Sequence, residues 1–227
     1  MKSEEVWESV EFASYLTYNP RPQIEEEQRV KNRVLAIKQD KWILRESVSG
    51  SIVRLLCQKL FKDLNSTPML EHFFSGALQL VPVPTSSLKK EGSLWVPKRI
   101  CEELQNVGLG LRTIDLLERS EAVVKSATAS TGNRPEALKH FETFRINSSC
   151  LGDLNKAETI LLVDDVCTRG STFAGAAKRL RTKFPMTEIK CFALVSTRGL
   201  GNFRQFYDPA VGRIVSKNNG SKTDRNP

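Results

Sequence analysis

The spacing of apolar residues differs between the first 70 residues of the chain and the remainder. Residues 24–37 and 47–64 both carry apolar side chains at helical spacing. Three consecutive acids, residues 25–27, suit the first turn of the first helix because they face the positive end of its dipole. We therefore expect residues 1–70 to form a mainly helical N-terminal extension.

Short apolar runs alternate with amphipathic segments in the following part of the chain. The runs at residues 77–83, 159–163 and 189–196 predict buried strands, and residues 97–107 and 171–184 predict helices. This alternation is typical of an α/β fold with a parallel sheet. We expect the α/β core to cover residues 71–216.

The last residues have a different composition. Residues 217–227 are polar and contain Gly and Pro, with few apolar side chains to bury. Such a segment is typical of disorder. We therefore expect residues 217–227 to form a disordered tail.

Composition and charge narrow the function classes. The net charge is +8, from 34 Lys and Arg against 26 Asp and Glu. A basic chain favours an anionic partner, and charge alone leaves phosphorylated small molecules and nucleic acid both open. No apolar run approaches the roughly 20 residues of a membrane span, so no membrane partner is expected. The five cysteines are scattered without a CxxC pair, which argues against disulfides and zinc and favours a cytoplasmic location.

Residues 160–172 carry the clearest chemical signal. Four apolar residues predict a strand, and Asp164 and Asp165 stand at its carboxyl end, where ligands bind in open α/β sheets. The following loop is rich in Thr, Ser and Gly and opens a helix, whose N–H groups and dipole suit a phosphate. Gly170 allows close approach of the backbone to that phosphate.

The two carboxylates indicate the rest of the ligand. They would repel phosphate, but they can accept hydrogen bonds from two vicinal hydroxyls, with Mg²⁺ balancing charge nearby. A ligand with both a phosphate and a diol is required, and ribose 5-phosphate meets that requirement. A simpler alternative is that the acids only cap the next helix.

This segment resembles the phosphoribosyl pyrophosphate (PRPP) motif of type I phosphoribosyltransferases. One departure is Arg169, which stands where the family usually has a small hydroxyl residue. An arginine there either adds a phosphate contact or points to solvent. The resemblance implies a set of phosphate- and ribose-binding residues: Val163, Asp164, Asp165, Cys167, Thr168, Arg169, Gly170, Ser171 and Thr172.

The order of residues before that motif is similar to the ComF branch of the same family. The resemblance is carried by Val81-Pro-Val-Pro84, Leu-Glu-Arg119, Lys125, Arg134 and Phe144. The cysteine-rich zinc module that many ComF proteins carry is absent, because the first cysteine is Cys57. The resemblance implies a phosphoribosyltransferase-like parallel sheet core flanked by helices, with the N-terminal extension forming a hood.

The resemblance also implies two further parts of a site. The loop Pro84, Thr85, Ser86 and Ser87 would bind pyrophosphate through its amides. Residues 120–139 would close over PRPP, with Lys125 and Arg134 as catalytic groups that neutralise the leaving pyrophosphate beside Asp164 and Asp165. Independently of the resemblance, the position of His140 beside this loop leaves two interpretations, a contact with an acceptor or an ordinary surface imidazole.

Two functions follow from these observations. The first is a phosphoribosyltransferase, a glycosyltransferase of nucleotide metabolism, that binds PRPP with Mg²⁺ and transfers the phosphoribosyl group to an unidentified nitrogen acceptor. The second is a non-catalytic ComF-like protein that binds PRPP or a ribose-5-phosphate-containing nucleotide and acts in DNA uptake or handling. Nucleic acid is a partner in the second version, and a homodimer is common among the relatives.

Overall fold

The structure, a computed structural model, describes residues 6–45, 48–123, 136–154, 159–198 and 205–226. Eleven strands lie within these ranges. They are β1 (Val6–Tyr18), β2 (Trp42–Arg45), β3 (Val48–Ser51), β4 (Leu78–Pro82), β5 (Arg112–Thr113), β6 (Leu117–Arg119), β7 (Phe144–Ile146), β8 (Thr159–Cys167), β9 (Glu188–Thr197), β10 (Ala210–Lys217) and β11 (Lys222–Asn226).

Six α-helices connect the strands of the described ranges. They are α1 (Glu25–Lys38), α2 (Ile52–Asp63), α3 (Pro68–Phe73), α4 (Val96–Asn106), α5 (Ala137–Thr143) and α6 (Ser171–Arg181). Three short 3-10 turns accompany them at Leu64–Ser66, Ser148–Leu154 and Asn218–Gly220. No helix in the described residues is long and apolar enough to cross a membrane.

A seven-stranded sheet forms the centre of the molecule. Its strand order is β11-β10-β1-β9-β8-β4-β5, and two separate two-stranded sheets, β2-β3 and β6-β7, lie outside it. The five adjacent strands β1, β9, β8, β4 and β5 are parallel to one another, whereas β10 and β11 are antiparallel to their neighbours. The prediction of an α/β fold with a largely parallel sheet is therefore confirmed.

Helices cover both faces of this sheet. Alternate residues of β8 point to opposite faces, so that Leu161 joins one apolar cluster and Ile160 joins the other. Side chains of α1, α2, α3 and α4 belong to the first cluster, and those of α5 and α6 belong to the second. A strand buried on both faces needs a continuous apolar run, and residues 160–163 supply one.

The N-terminal segment contains a long strand that the helical interpretation omitted. Helix α1 was predicted correctly, but β1 precedes it and pairs with β9 on one side and β10 on the other. The segment is therefore built into the middle of the sheet. The second predicted helix is also shorter at its start, because residues 48–51 form β3 and Ser51 caps α2 by accepting from the Arg54 N–H at 3.2 Å.

The prediction of a disordered tail at residues 217–227 is wrong for the part that the structure describes. Residues 222–226 form β11, which pairs with β10. Arg225 anchors this polar strand, because its guanidinium donates to the carbonyl oxygens of Cys167 and Thr197 and lies 5.3 Å from the centre of the Phe12 ring. Main-chain pairing and the half-buried Arg225 replace the apolar side chains that the segment lacks.

Removing a large side chain from β1 tests its place in the sheet. Phe12 is fully buried, and its ring centre lies 6.0 Å from that of Phe173. We expect Phe12→Ala to lower the free energy of unfolding by about 3–5 kcal/mol, measured by urea denaturation. Val6→Ala, on an exposed side chain of the same strand, should change it by less than about 0.5 kcal/mol. Similar effects of the two substitutions would contradict the central position of β1.

Candidate functional site

A cleft of about 1360 Å³ lies at the carboxyl edge of the parallel strands. The strand ends Tyr18, Cys167 and Thr197 contribute to its walls, as the pairing of β1, β8 and β9 requires. Most of the predicted site residues line this one cleft. These are Pro84, Thr85, Ser86, Ser87, Asp164, Asp165, Cys167, Thr168, Arg169, Gly170, Ser171 and Thr172.

Gly170 forms the junction between the loop after β8 and helix α6. Its φ is +91°, in the left-handed region that side chains disfavour. A Cβ atom there would also lie 2.8 Å from the side chain of Ile214. Both backbone conformation and space therefore require glycine at this position.

The start of α6 offers unpaired main-chain donors. Gly170 is its N-cap residue, and no side chain of the described residues caps this end of the helix. The first N–H groups of a helix have no partner within it, and the helix dipole adds partial positive charge. The side chains of Thr168, Ser171 and Thr172 are half-buried and Arg169 is exposed, all at the cleft. This end of the cleft can therefore bind a phosphate.

Asp164 and Asp165 lie at the end of β8 and have different partners. Asp164 Oδ1 accepts from the N–H of Asp165 at 2.8 Å, and Asp165 Oδ1 accepts from the N–H of Val166 at 2.8 Å. The second oxygen of Asp165 forms an ion pair with Lys38 Nζ at 2.9 Å. Lys38 comes from the last turn of α1, so the N-terminal segment supplies a cation to the site.

These contacts separate the ionisation of the two acids. Burial, together with the neighbouring charge of Asp165, raises the pKa of Asp164 well above its usual value. Burial acts in the same direction on Asp165, but the Lys38 ammonium and the hydrogen bonds outweigh it and lower its pKa. Asp165 is therefore the more readily ionised acid, and the ionised form of Asp164 is stabilised by any group that donates a hydrogen bond or supplies positive charge.

The side chains of the cleft fit a magnesium ion only if the ion binds together with a ligand. Among the described residues, no group of three or more His, Cys, Asp or Glu is placed to hold a metal. Each oxygen of Asp165 already has one partner and can still accept a further hydrogen bond, so Asp164 is the better placed carboxyl ligand for a metal. Magnesium commonly binds one or two carboxylates together with substrate phosphates, and this arrangement suits that mode.

Arg119 holds the loop at residues 84–87 from behind. Its Nε donates to the Thr85 carbonyl oxygen at 2.7 Å, and its Nη1 donates to Thr143 Oγ1 at 2.7 Å. The guanidinium stacks 4.2 Å from the centre of the Phe144 ring, and burial lowers its pKa to about 10. The Ser86 carbonyl oxygen also accepts from the N–H of Val123 at 2.8 Å. The loop therefore has a fixed backbone beside the cleft.

His140 lies between Arg119 and the start of α6. Its Nδ1 is 3.4 Å from Arg119 Nη2, and its Nε2 is 3.4 Å from Thr172 Oγ1. The residue is only 3% exposed, so the prediction of a surface imidazole is wrong. Burial, followed by the charge of Arg119, lowers the pKa of His140 to about 3. The ring is therefore neutral at physiological pH.

Two of the predicted site residues, Val163 and Cys167, have other positions or properties. Val163 is fully buried and does not line the cleft; its carbonyl oxygen accepts from the N–H of Val83 at 2.9 Å and joins β8 to the start of the loop. Cys167 lines the cleft, but burial raises the pKa of its thiol to about 12, which leaves it unreactive. Lys125 and Arg134 lie outside the described residues, as does most of the predicted closing segment.

Sequence reasoning missed Lys38 and Arg119 as site residues. Lys38 is 127 residues from Asp165, and helical spacing alone does not show which strand the end of α1 will meet. Arg119 was noted only as part of the family resemblance, because the charged neighbours Asp115 and Glu118 hide the fact that it is buried. Comparison with models of known protein families and with curated protein sequences found no match for this chain.

Removing the ammonium of Lys38 tests the ion pair in the cleft. We expect Lys38→Met to lower the free energy of unfolding at pH 7 by about 1 kcal/mol, since the side chain is 36% exposed and solvent screens the pair. A lowered carboxyl pKa stabilises the fold above the unfolded value of about 4, and this contribution disappears as pH falls through the folded pKa. The cost of Lys38→Met should therefore shrink in acid.

The matched control is the same substitution in an Asp165→Asn background. There the cost of Lys38→Met should be close to zero, because the charge that it pairs with is gone. Chemical denaturation at pH 7 and at acidic pH measures all four chains. An equal cost in both backgrounds would show that Lys38 acts through packing and not through Asp165.

Proposed function

We propose that this chain is a phosphoribosyltransferase-like protein of the ComF-like type. It binds Mg²⁺-PRPP and transfers the phosphoribosyl group to a nitrogen acceptor, in the cytoplasm. The observation that carries the proposal is the placement of two carboxyl groups and an uncapped helix start within one cleft. A single segment, from the end of β8 to the start of α6, supplies both.

The start of α6 suits the 5′-phosphate of PRPP. The free N–H groups of the helix and the hydroxyls of Thr168, Ser171 and Thr172 are donors, and a phosphate ester has only acceptors to offer them. Gly170 keeps the backbone open to the ligand. The exposed guanidinium of Arg169 is available for a further charge-assisted contact from the cleft rim.

The carboxyl groups suit the ribose hydroxyls. Asp165 is held as a carboxylate by Lys38 and accepts hydrogen bonds. Burial and the charge of Asp165 raise the pKa of Asp164, so ionising Asp164 costs free energy. A hydroxyl that donates a hydrogen bond to Asp164 lowers this cost. The pair therefore favours a ligand that brings two adjacent donors, as the 2- and 3-hydroxyls of ribose do.

The loop at residues 84–87 is the proposed pyrophosphate site. Arg119 fixes the Thr85 carbonyl oxygen, which orients the amides of the loop. The nitrogen acceptor attacks C1 of the ribose, the bond from C1 to the pyrophosphate oxygen breaks with its electron pair leaving on pyrophosphate, and the acceptor proton passes to water. Magnesium, when bound with PRPP, supplies positive charge to the leaving pyrophosphate. The protein contributes mainly position and charge.

The second candidate function uses the same cleft without turnover. A ComF-like protein that senses PRPP or a nucleotide and handles DNA is motivated by the net charge of +8. It requires DNA binding that weakens steeply with salt, and no release of pyrophosphate. Pyrophosphate release during incubation with PRPP and mixed nitrogen acceptors favours the transferase, whereas tight binding of DNA alone favours the alternative.

Calorimetric titration of PRPP tests the proposed cleft directly. We expect binding that is strengthened by Mg²⁺ in the wild-type chain and weakened at least tenfold by Asp165→Asn, because the substitution removes the charged acceptor for the ribose diol. Glu26→Gln removes one negative charge at an exposed position that does not line the cleft, and serves as the matched control.

The result has a clear contrary outcome. If Asp165→Asn and Glu26→Gln bind PRPP equally well while both remain folded by circular dichroism, the ribose site is misassigned. If the wild-type chain binds neither PRPP nor ribose 5-phosphate with or without Mg²⁺, the proposed function is wrong.

A further inference from the structure

The hydrogen-bond chain from Arg119 through His140 to Thr172 has only one consistent direction. A guanidinium group carries N–H donors and no acceptor, so Arg119 Nη2 must donate to His140 Nδ1. The ring is neutral, and a neutral imidazole that accepts at Nδ1 carries its hydrogen on Nε2. Nε2 therefore donates to Thr172 Oγ1.

Several contacts prevent Arg119 from turning away and reversing this order. Its Nε and Nη1 are held by the Thr85 carbonyl oxygen and by Thr143 Oγ1, and its flat face rests on the Phe144 ring. Thr143 Oγ1 in turn lies 2.9 Å from the Lys139 carbonyl oxygen, to which it donates. All donor positions of the guanidinium that face His140 and the loop are thus committed.

Close packing of α5 against α6 brings His140 within reach of Thr172. A Cβ atom at Gly175 would lie 2.6 Å from both His140 Cβ and the carbonyl oxygen of Ala137. Any larger residue at position 175 would push the two helices apart and lengthen the contact. The separation of His140 from Thr172 is therefore set by the packing of the two helices.

The direction of the chain decides what Thr172 can offer to the cleft. A hydroxyl has one hydrogen, and its oxygen already accepts from His140, so the hydrogen is free for another partner. We propose that His140 is a positioning residue that holds the Thr172 hydroxyl as a hydrogen-bond donor toward phosphate oxygens at the start of α6. The proposal rests on the proposed function, in that a phosphate ester occupies this end of the cleft.

This arrangement makes the site selective for a ligand atom that only accepts. A phosphate dianion offers acceptors alone and matches the donor that Thr172 presents. A ligand group with its own hydrogen, such as an amide N–H, would meet another donor and lose the contact. Because the imidazole stays neutral and buried, the selection persists across the physiological pH range.

Two substitutions of His140 distinguish its hydrogen bond with Arg119 from its hydrogen bond with Thr172. The amide nitrogen of Gln reaches the position of Nε2 and can donate to Thr172. The shorter side chain of Asn places its amide oxygen at the position of Nδ1 and cannot reach Thr172. We expect His140→Asn to weaken binding of ribose 5-phosphate about tenfold in calorimetry, and His140→Gln to recover most of that loss.

A double-substitution cycle shows whether the effect passes through Thr172. Thr172→Val removes the hydroxyl and keeps the shape, so His140→Asn should have no further effect in that background. Equal losses from His140→Asn in both backgrounds, or none in either, would overturn the positioning role. Circular dichroism and thermal melting check that each variant is folded.

The tautomer can be observed without any ligand. Long-range proton–nitrogen correlation spectra of the tag-free chain should show the hydrogen on Nε2 of His140, with the exposed His72, the other histidine of the chain, as the comparison signal. A hydrogen on Nδ1 would overturn the proposal. Failure of the wild-type protein to bind PRPP and ribose 5-phosphate alike would overturn both proposals, whereas undiminished binding of ribose 5-phosphate by His140→Asn would overturn this one alone.

Discussion

Strand β8 is buried on both faces, and the rest of the site depends on that constraint. Four apolar residues, 160–163, fill the space between the two helical layers, so the acids Asp164 and Asp165 appear only after this run, toward the carboxyl end of the strand. Parallel pairing with β4 and β9 brings the carboxyl ends of all three strands to the same edge. The loop at residues 84–87 and the start of α6 therefore face one cleft.

Charged side chains from distant segments complete this edge. Lys38 lies in α1, Arg119 in β6 and Arg225 in β11. They donate hydrogen bonds to oxygens of three cleft residues, respectively Asp165, Thr85 and Cys167. Burying such groups costs free energy unless they are paired, so every one of these contacts links the arrangement of the site to the stability of the fold. Contacts of this kind fix these side chains before a ligand binds, which lowers the entropic cost of ordering them.

Much of this arrangement could be predicted from the sequence. The apolar run at residues 160–163, the adjacent acids and the Gly-containing loop follow one another along the chain, and local order fixes their relation in space. Helix α1 and strand β9 were predicted for the same reason. The family resemblance directed attention to the loop at residues 84–87, which lines the same cleft.

The errors concern residues whose partners are far away in sequence. In β1, Ser14 and Glu8 interrupt the apolar pattern, but Ser14 donates to Ser196 at 2.9 Å and Glu8 pairs with Arg181. The polar strand β11 depends on Arg225, and the buried position of His140 depends on the absence of a side chain at Gly175. Composition and periodicity describe what each segment carries, and they do not reveal which partner will satisfy it.

The position of β1 also bears on how the chain acquires its structure. Residues 6–18 leave the ribosome well before their partners, because they pair with β9 and β10 and the contact between Ser14 and Ser196 spans 182 residues. The apolar side chains of β1 therefore lack their partners until β9 and β10 have been synthesised. Pairing between residues so far apart in sequence slows folding and prolongs the exposure of apolar surface. The pairing of β1 with β9 can form only after β9 has been synthesised. A nascent chain that stalls before β9 would expose the apolar residues of β1 and be a target for chaperones.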